Sequence, residues 1–543
     1  MKHFTSLWLL WLVMMVAAPV GIAETTYDTY NMQRARLAIN DGNYSEAIDF
    51  LFDELDANPD NALAHTHIAL IFFNLDLYPE ALEAATQALE CYPEEMVDQR
   101  YGMTLLRCDI NVCMGDSVAA FDDVNAAISI NPNYSKGYER RGQFYCSQGR
   151  YEHARADFAH AVELNPENTD AIIGLGQVEM LTGEFDRAIE LYNTALALDP
   201  TKYTAITMRG RAYLGAELYD NAMDDVCTYL EKNITLDVLE VLDLFPEEQR
   251  PLVIAKLTEL QLKQPTNIFP YLSLAHVYEM SKSYPEAIQV LKDAQPLDQT
   301  DSNFVICSIG RDYMLMSEYE SAINYFDQAL AIVPDDYYCL YSKATALGEI
   351  GREREAIDIF KRCITEPTDS VDSNADVWYR IAFLEDNINE TEAALADYDM
   401  VISLTPDYAY AHLGRADMLE RLGRHDEARE AYQRVVELEA EPTADGCAMY
   451  ALLALGREDE AIDFMQRILT AYSDDARTYY DAACFYSRLG QLEQSLQYLA
   501  TALEKGFRRI AHIMRDDDLE AVRALPAFTT LMQQYLPASQ SSH

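Results

Sequence analysis

Apolar residues recur along most of this chain at the spacing of a helix that buries one face. Residues 140–200 contain the same order of marks twice: an internal glycine, a second glycine before a polar and an aromatic residue, two alanines, and a terminal proline. This order predicts a series of hairpins, each made of two helices joined by a tight turn. The prolines that end successive hairpins stand 34 residues apart from Pro59 to Pro93, from Pro132 to Pro166, and from Pro166 to Pro200.

Each marked position has a mechanical role in such a hairpin. A glycine inside the first helix admits the second helix, and a glycine at its end supplies the positive φ of the turn. Alanines twelve and five residues before the proline allow close packing of the second helix, which the proline then ends. The internal glycines are Gly142, Gly176, Gly210 and Gly310, and the turn glycines are Gly149, Gly183, Gly351, Gly423, Gly456 and Gly490.

The pattern resembles the tetratricopeptide repeat (TPR) family, whose unit is a pair of antiparallel helices. Residues 135–166, SKGYERRGQFYCSQGRYEHARADFAHAVELNP, carry the resemblance most fully, and about fourteen units fit between Tyr27 and Phe507. The resemblance implies an all-α fold: a right-handed superhelical solenoid of antiparallel helix pairs with a C-terminal helical cap. Other well-matched units begin near Thr169, Asn303, Ala409 and Ala476.

The order of units predicts five regions along the chain. Residues 1–23 are expected to be a signal peptide, 24–233 an N-terminal TPR array, and 234–267 a degenerate helix pair that lacks the marker glycines and alanines. A C-terminal TPR array is expected over 268–507. Residues 508–543 break the period and are expected to form closing helices and a frayed tail, because the last apolar face of an array needs a cover.

The first residues favour export from a bacterial cell. Lys2 and His3 precede an apolar run, and Gly21 and Ala23 are small residues at the −3 and −1 positions of a cut after Ala23. The mature chain is then periplasmic or secreted. The alternative is an uncleaved N-terminal anchor that tethers the protein to the membrane, because the apolar run is at the short edge of what spans a bilayer.

Charge narrows the range of partners. The chain has 90 Asp and Glu against 41 Lys and Arg, a formal net charge of −49. Such a surface repels phosphate backbones and anionic headgroups, which argues against nucleic acid and membrane surfaces as partners. The acidity is best explained as solvation of a long exposed surface, and it also suits a partner with a basic segment.

No reaction chemistry is predicted. The ten cysteines fall singly, so packing thiols are favoured over disulfides, and Cys108 and Cys113 lack the second ligand pair that a zinc site needs. The sequence has no His-Glu-x-x-His, phosphate-binding or nucleophile motif, and the frequent acid pairs are better read as solvated helix faces. We therefore expect no enzyme activity, no metal and no cofactor.

The resemblance implies a partner site instead. In this family the first helix of each unit lines a concave face that binds partner peptides, and tyrosines on rigid helices supply contact area at low entropic cost. The earlier units offer a mixed face without a common chemistry. The later units give the expected groove residues, which are Tyr338, Tyr341, Glu349, Tyr379, Phe383, Asp386, Tyr410, Asp417, Glu420, Tyr450 and Tyr480.

These observations together favour a non-enzymatic scaffold in the bacterial cell envelope that holds a partner protein or peptide in its concave face. Two alternatives stay open. One is an envelope assembly factor that self-associates, and the other is a glycan-binding module that uses the aromatic residues.

Overall fold

The structure, a computed structural model, describes residues 29–232, 238–298, 303–364, 371–441, 443 and 446–535. All regular secondary structure within these ranges is helical, and consecutive helices pack in pairs. The expected all-α class and its repeated helix pairs are therefore confirmed. The predicted signal peptide at 1–23 lies outside the described residues, as does the start of the predicted degenerate pair.

The chain forms two compact units, here called the N-terminal unit (Met1–Lys256) and the C-terminal unit (Leu257–His543). The N-terminal unit contains six regular pairs and then a short helix. Its helices are α1 (Tyr30–Asn40), α2 (Tyr44–Ala57), α3 (Ala62–Asn74), α4 (Tyr78–Cys91), α5 (Val97–Cys113), α6 (Ser117–Ile130), α7 (Ser135–Ser147), α8 (Tyr151–Leu164), α9 (Thr169–Leu181), α10 (Phe185–Leu198), α11 (Tyr203–Gly215), α12 (Tyr219–Glu231) and α13 (Leu239–Leu242).

Helix α14 (Arg250–Lys263) carries the chain from the first unit into the second. The C-terminal unit then continues the pairs. Its helices are α15 (Phe269–Met280), α16 (Tyr284–Ala294), α17 (Phe304–Leu315), α18 (Tyr319–Ile332), α19 (Tyr337–Glu349), α20 (Glu353–Cys363), α21 (Val371–Asn387), α22 (Thr391–Leu404), α23 (Ala409–Arg421), α24 (His425–Leu438), α25 (Cys447–Ala454), α26 (Glu458–Ala471), α27 (Ala476–Arg488), α28 (Leu492–Glu504), α29 (Ile510–Ile513), α30 (Glu520–Arg523) and α31 (Pro526–Met532).

The marker residues pack as the periodic pattern predicts. A Cβ added to Gly142 would lie 3.0 Å from the Phe158 ring, and one added to Gly176 would lie 2.8 Å from the Tyr192 ring. Both rings come from the second helix of the same pair, so the glycines permit its close approach. The marker alanines have 0% exposure, which shows why the positions accept only a small side chain: Ala47, Ala81, Ala88, Ala120, Ala127, Ala154, Ala161, Ala188, Ala195, Ala322, Ala329 and Ala394.

The turn inside each pair uses a left-handed residue. Gly183 has φ +86°, whereas the equivalent turns of other pairs hold Glu217 and Ser317 at φ 59° and 60°. A side chain in this conformation costs roughly 1 kcal/mol. The turn is therefore set by the packing of the two helices, and glycine is the preferred residue rather than an obligatory one.

One cysteine pair departs from the sequence analysis. Cys307 on α17 and Cys339 on α19 are joined by a disulfide across a separation of 32 residues. The preference for packing thiols was wrong for these two residues. Successive first helices lie side by side in the array, so residues about one repeat apart come into contact. Cys108 and Cys363 are free and buried, as predicted for packing thiols.

The segment after α28 covers the last pair. Its short helices bring Ile513, Leu519 and Val522 onto α27 and α28, where all three are fully buried. The apolar face that the last repeat would otherwise expose is covered in this way. Among the described helices, none has both the length and the apolar character needed to cross a membrane.

Candidate partner-binding groove

The groove residues expected from sequence all lie on first helices of the C-terminal unit. Helix α19 carries Tyr338, Tyr341 and Glu349; α21 carries Tyr379, Phe383 and Asp386; α23 carries Tyr410, Asp417 and Glu420; α25 carries Tyr450; and α27 carries Tyr480. Two of them present large apolar surfaces to solvent, since Tyr338 is 48% and Phe383 is 40% exposed.

Tyr379 is the centre of an aromatic cluster. Its ring centroid lies 5.3 Å from that of Tyr408 and 5.9 Å from that of Tyr410, at tilted or edge-on angles that favour aromatic pairs. Burial raises the pKa of Tyr379, and the neighbouring Tyr408 adds to the shift. Sequence analysis did not include Tyr408, which immediately precedes α23 and therefore falls outside the helical positions that the resemblance indicates.

The tyrosine hydroxyls are held by charged side chains. Tyr341 donates to Asp376 at 2.5 Å, and Arg477 donates to the Tyr410 hydroxyl at 3.0 Å. These hydrogen bonds fix the rings on their helices, so a ligand would meet a preformed surface.

Tyr450 is fixed by a different contact. The Arg488 guanidinium lies over its ring at 4.8 Å from the centroid, a cation–π arrangement. The Tyr450 hydroxyl also points toward the backbone oxygen of Asp481 at 3.3 Å. One face of the Tyr450 ring is therefore covered by Arg488.

The predicted acidic residues have local partners as well. Asp386 accepts from Arg421 at 2.5 Å, and Asp417 accepts from the Tyr432 hydroxyl at 2.5 Å. Burial raises the pKa of both carboxyls, against the opposing effects of these hydrogen bonds. Glu420 is more exposed and lies 2.9 Å from His425.

Tyr480 is not available to a partner. It is only 4% exposed, because Phe507 stacks on its ring at 4.3 Å and its hydroxyl donates to Asp516 at 2.5 Å. Its place in the predicted groove is therefore corrected: Tyr480 anchors the closing segment. The repeat pattern could not show this, because the closing segment lies outside the period.

Basic residues near the groove were missed by the sequence analysis. Arg488 also donates to Asp518 at 2.6 Å, and Arg509 donates to Glu349. A sequence sign existed, because residues 507–515 hold three arginines and a histidine in a chain with more than twice as many acidic as basic residues. Arginines therefore accompany the acidic residues near the predicted groove.

Two clusters in the described part of the chain bring sulfur and carboxylate atoms within 4.8 Å of one another: Cys307, Asp336 and Cys339, and Cys484, Asp516 and Asp518. The two sulfurs of the first cluster are bonded to each other. In the second, Asp516 already accepts from Tyr480, and Asp518 accepts from Arg488. The expectation of no metal and no cofactor stays a prediction.

The first helices of the N-terminal unit carry ion pairs. Lys136 lies 2.7 Å from Glu139, and Lys202 lies 2.7 Å from Asp170. Lys136 and Glu139 lie on the same helix, α7, whereas Lys202, immediately before α11, links that helix to Asp170 on α9. The mixed character expected for this face stays a prediction.

Family models described as tetratricopeptide repeats match residues 32–95, 145–206, 384–445 and 476–504. The chain is a tetratricopeptide repeat protein. The matched TPR segments fall in both units, and one of them includes Tyr408 and Tyr410 of the aromatic cluster. The repeats support a role in protein interaction.

Three curated relatives share part of the TPR sequence. The chain is 26% identical over 201 residues to Protein FlbA of Caulobacter vibrioides, which covers 36% of this chain and 32% of FlbA. It is 23% identical over 279 residues to Protein O-mannosyl-transferase TMTC3 of Homo sapiens, covering 49% and 30%, and 24% identical over 241 residues to human Serine/threonine-protein phosphatase 5, covering 42% and 43%. The chain thus spans less than half the length of each of these relatives.

Matches among solved structures include the crystal structure of MamA, with 22% identity, a TM-score of 0.29, and coverage of 31% of this chain and 95% of that chain. Another is the crystal structure of the APC/C hetero-tetramer Cut9-Hcn1, with 15% identity, a TM-score of 0.31, and coverage of 95% and 99%.

Proposed function

We propose that this TPR protein is a non-enzymatic scaffold whose C-terminal unit binds a partner protein or peptide along the first helices of its pairs. The observation that carries the proposal is the surface formed by α19, α21 and α23. There, the exposed side chains of Tyr338 and Phe383 lie on the same helices as hydroxyls and carboxylates that are already fixed by hydrogen bonds. Binding to such a preformed surface loses little conformational entropy.

Site-specific photo-crosslinking in cells tests this proposal. Benzoylphenylalanine would replace Tyr338 or Phe383, and matched controls would carry it at Val118 or Leu262, which are 75% and 77% exposed. We expect defined protein adducts from the groove positions that are weak or missing at the control positions. The same adducts at all four positions, or none at the groove positions, would contradict the proposal.

We further propose that the chain works outside the cytoplasm of a bacterium, as a periplasmic or secreted protein. The support is the sequence of residues 1–23, with its basic start, apolar run and small residues before Glu24. N-terminal sequencing of the protein purified from the envelope fraction is expected to begin at Glu24. An intact N-terminus in the membrane fraction would favour the tethered alternative.

Self-association is the second candidate function. Tyr30 and Leu37 on α1 are 69% and 60% exposed, which gives the first described helix an apolar surface that a second copy could cover. Light scattering at rising concentration of the mature chain distinguishes the two functions. If the wild type stays monomeric at all concentrations, and the Tyr30→Ser/Leu37→Ser variant scatters light in the same way, assembly through this surface is excluded.

A further inference from the structure

The closing segment reaches back to a helix pair far earlier in the same unit. Residues 507–516 are here called the return segment. Its Arg509 donates to the carboxylate of Glu349 at the end of α19, across a separation of 160 residues. Arg515 donates to the backbone oxygen of Glu349 and lies 3.7 Å from the Glu353 carboxylate at the start of α20. Two arginines therefore engage one helix end.

The end of α19 is a suitable place for a guanidinium group. The last carbonyls of a helix have no partner within it and carry the negative end of the helix dipole. Arg515 reaches the carbonyls of Gly348 and Glu349, and a Cβ added to Gly351 would lie 2.7 Å from its Nη1 atom. Gly351 thus leaves the space that the guanidinium uses.

The return segment is also fixed at its other side. Phe507 stacks on Tyr480, and Asp516 accepts from the Tyr480 hydroxyl. Because Tyr480 lies on α27, the segment connects the last repeat with the repeat that begins at α19. It therefore lies next to the surface to which the proposed function assigns the partner.

Glu349 retains capacity for a further donor. Its Oε2 atom is buried and has no hydrogen-bond partner among the described residues, whereas Oε1 accepts from Arg509. An ionised carboxylate can accept a bidentate arginine with both oxygens, and the planar guanidinium suits that geometry better than the ammonium of lysine. The present contact uses one oxygen of the carboxylate.

We propose that the α19 end, formed by Glu349, the carbonyls of Gly348 and Glu349, and Glu353, is a recognition site for an arginine-bearing peptide segment, and that the return segment is its intramolecular occupant. This inference rests on the proposed function. A partner with an apolar, arginine-bearing segment competes with Arg509 and Arg515 for the site. Because a tethered ligand acts at a high effective concentration, it weakens the apparent affinity for any external segment.

A peptide copied from the chain provides the probe. Fluorescein-labelled KGFRRIAHIMRDD, which corresponds to residues 505–517, is titrated with the full mature chain and followed by fluorescence anisotropy. We expect weak binding to the wild type and at least about tenfold tighter binding to Arg509→Gln/Arg515→Gln, whose own segment no longer competes. Adding Glu349→Gln to this variant is expected to remove the gain.

Two controls separate recognition from net charge. Arg434→Gln/Arg467→Gln removes the same charge from arginines on α24 and α26, which pair with Asp407 and Glu441, and is expected to bind the peptide as the wild type does. A peptide with glutamine in place of all three arginines is expected not to bind any variant. Equal gains from both double variants would overturn the inference.

A measurement without ligand tests the intramolecular contact by itself. Hydrogen exchange in residues 345–353 and 507–516 is expected to become faster in Arg509→Gln/Arg515→Gln, with no change in α23 or α24. Unchanged exchange in both segments would overturn the inference. Adducts from position 338 would still support the proposed function in that case, so the two failures are distinguishable.

Discussion

Glu179 in the N-terminal unit and Glu385 in the C-terminal unit occupy the same place in their repeats, four residues before the left-handed turn residue of the pair. Both are almost fully buried, at 1% and 4% exposure. Glu179 accepts from Arg155 at 3.2 and 3.0 Å and lies 3.4 Å from Arg187. Among the described residues, the cation paired with Glu385 is Lys361, at 3.8 Å. One backbone position is thus neutralised by two arginines in one unit and poorly neutralised in the other.

The pKa values follow from this difference. Burial, with a contribution from the Asp397 carboxylate, raises the pKa of Glu385 to about 7. Asp312, also in the C-terminal unit, has 0% exposure, and neither carboxylate oxygen has a hydrogen-bond partner among the described residues. Burial raises its pKa to about 7, with Glu279 adding to the shift. Near neutral pH this unit therefore holds protons on carboxyl groups.

In the N-terminal unit, buried aspartates are instead neutralised by arginines in several repeats. An arginine on the first helix donates to a buried aspartate sixteen residues later, on the second helix of the pair. The three pairs are Arg107 with Asp123, Arg141 with Asp157, and Arg209 with Asp225. The same fold thus tolerates a buried acid in two ways, by a fixed guanidinium or by a bound proton, and the bound proton makes stability depend on pH near neutrality.

The largest expected difference between the units comes from the disulfide. Replacing both Cys307 and Cys339 with alanine is expected to lower the unfolding free energy of the C-terminal unit by about 3–4 kcal/mol, because the loop closed by the bond becomes unconstrained in the unfolded state. Urea unfolding read by hydrogen exchange of peptides from each unit measures this. The exposed free Cys113→Ala is the control, and an equal loss in the N-terminal unit would contradict the prediction.

Breaking an arginine–aspartate pair should weaken the other unit. Arg141→Met leaves Asp157 buried without its guanidinium and is expected to cost the N-terminal unit about 3 kcal/mol. The same unfolding experiment measures it. Arg434→Met, which removes an exposed pair, is expected to change stability by less than about 0.5 kcal/mol. Similar effects from both variants would mean that the buried pairs are no more important than the exposed ones.

Asp312→Ala is expected to stabilise the C-terminal unit at pH 8 by about 2 kcal/mol, because it removes a buried carboxyl group that has no hydrogen-bond partner among the described residues. Alanine suits the position, since the residues five before the left-handed turn residue in two other pairs are the buried Val178 and Ala346. Above its ordinary pKa the unfolded carboxyl is ionised, whereas the folded one keeps its proton up to about pH 7. Wild-type stability therefore falls as pH rises from about 4 to 7, and this dependence should shrink in the variant. Equal gains at pH 5 and pH 8 would contradict the explanation.

The smallest expected effect is at the turns. Ser317→Gly relieves a left-handed serine and is expected to stabilise its pair by about 0.5 kcal/mol, whereas the reciprocal Gly183→Ser should cost about 1 kcal/mol. Thermal unfolding of the two single variants gives both values. If the two substitutions change the unfolding free energy with the same sign, the left-handed conformation does not strain the side chain at both turns.

The hairpins could be predicted because each marker residue reports a buried contact inside one repeat. Gly176 against Tyr192 is such a contact, and so is the full burial of Ala188. These contacts are local in sequence, so a periodic pattern records them. The groove positions came from the family resemblance rather than from contacts between residues, so they name positions on first helices without the partners of those side chains, and they stay a prediction.

The remaining features depend on contacts between distant residues. The burial of Tyr480 and the contact of Arg509 with Glu349 require the closing segment to fold back, and no period encodes that. Asp312 lies at an apolar position, so its environment could be recognised only after the repeats were aligned by their turns. The disulfide is the one of these features that the sequence came close to indicating, because the separation of 32 residues between its cysteines is close to one repeat.

That covalent link has a mechanical consequence. In a repeat array each repeat contacts only its neighbours, so the array lengthens under tension by separation of adjacent repeats. The Cys307–Cys339 disulfide joins α17 to α19 covalently, so these two neighbouring repeats cannot separate under tension. Extension of the C-terminal unit must then occur between its other repeats, and reduction of the disulfide would allow this pair of repeats to separate as well.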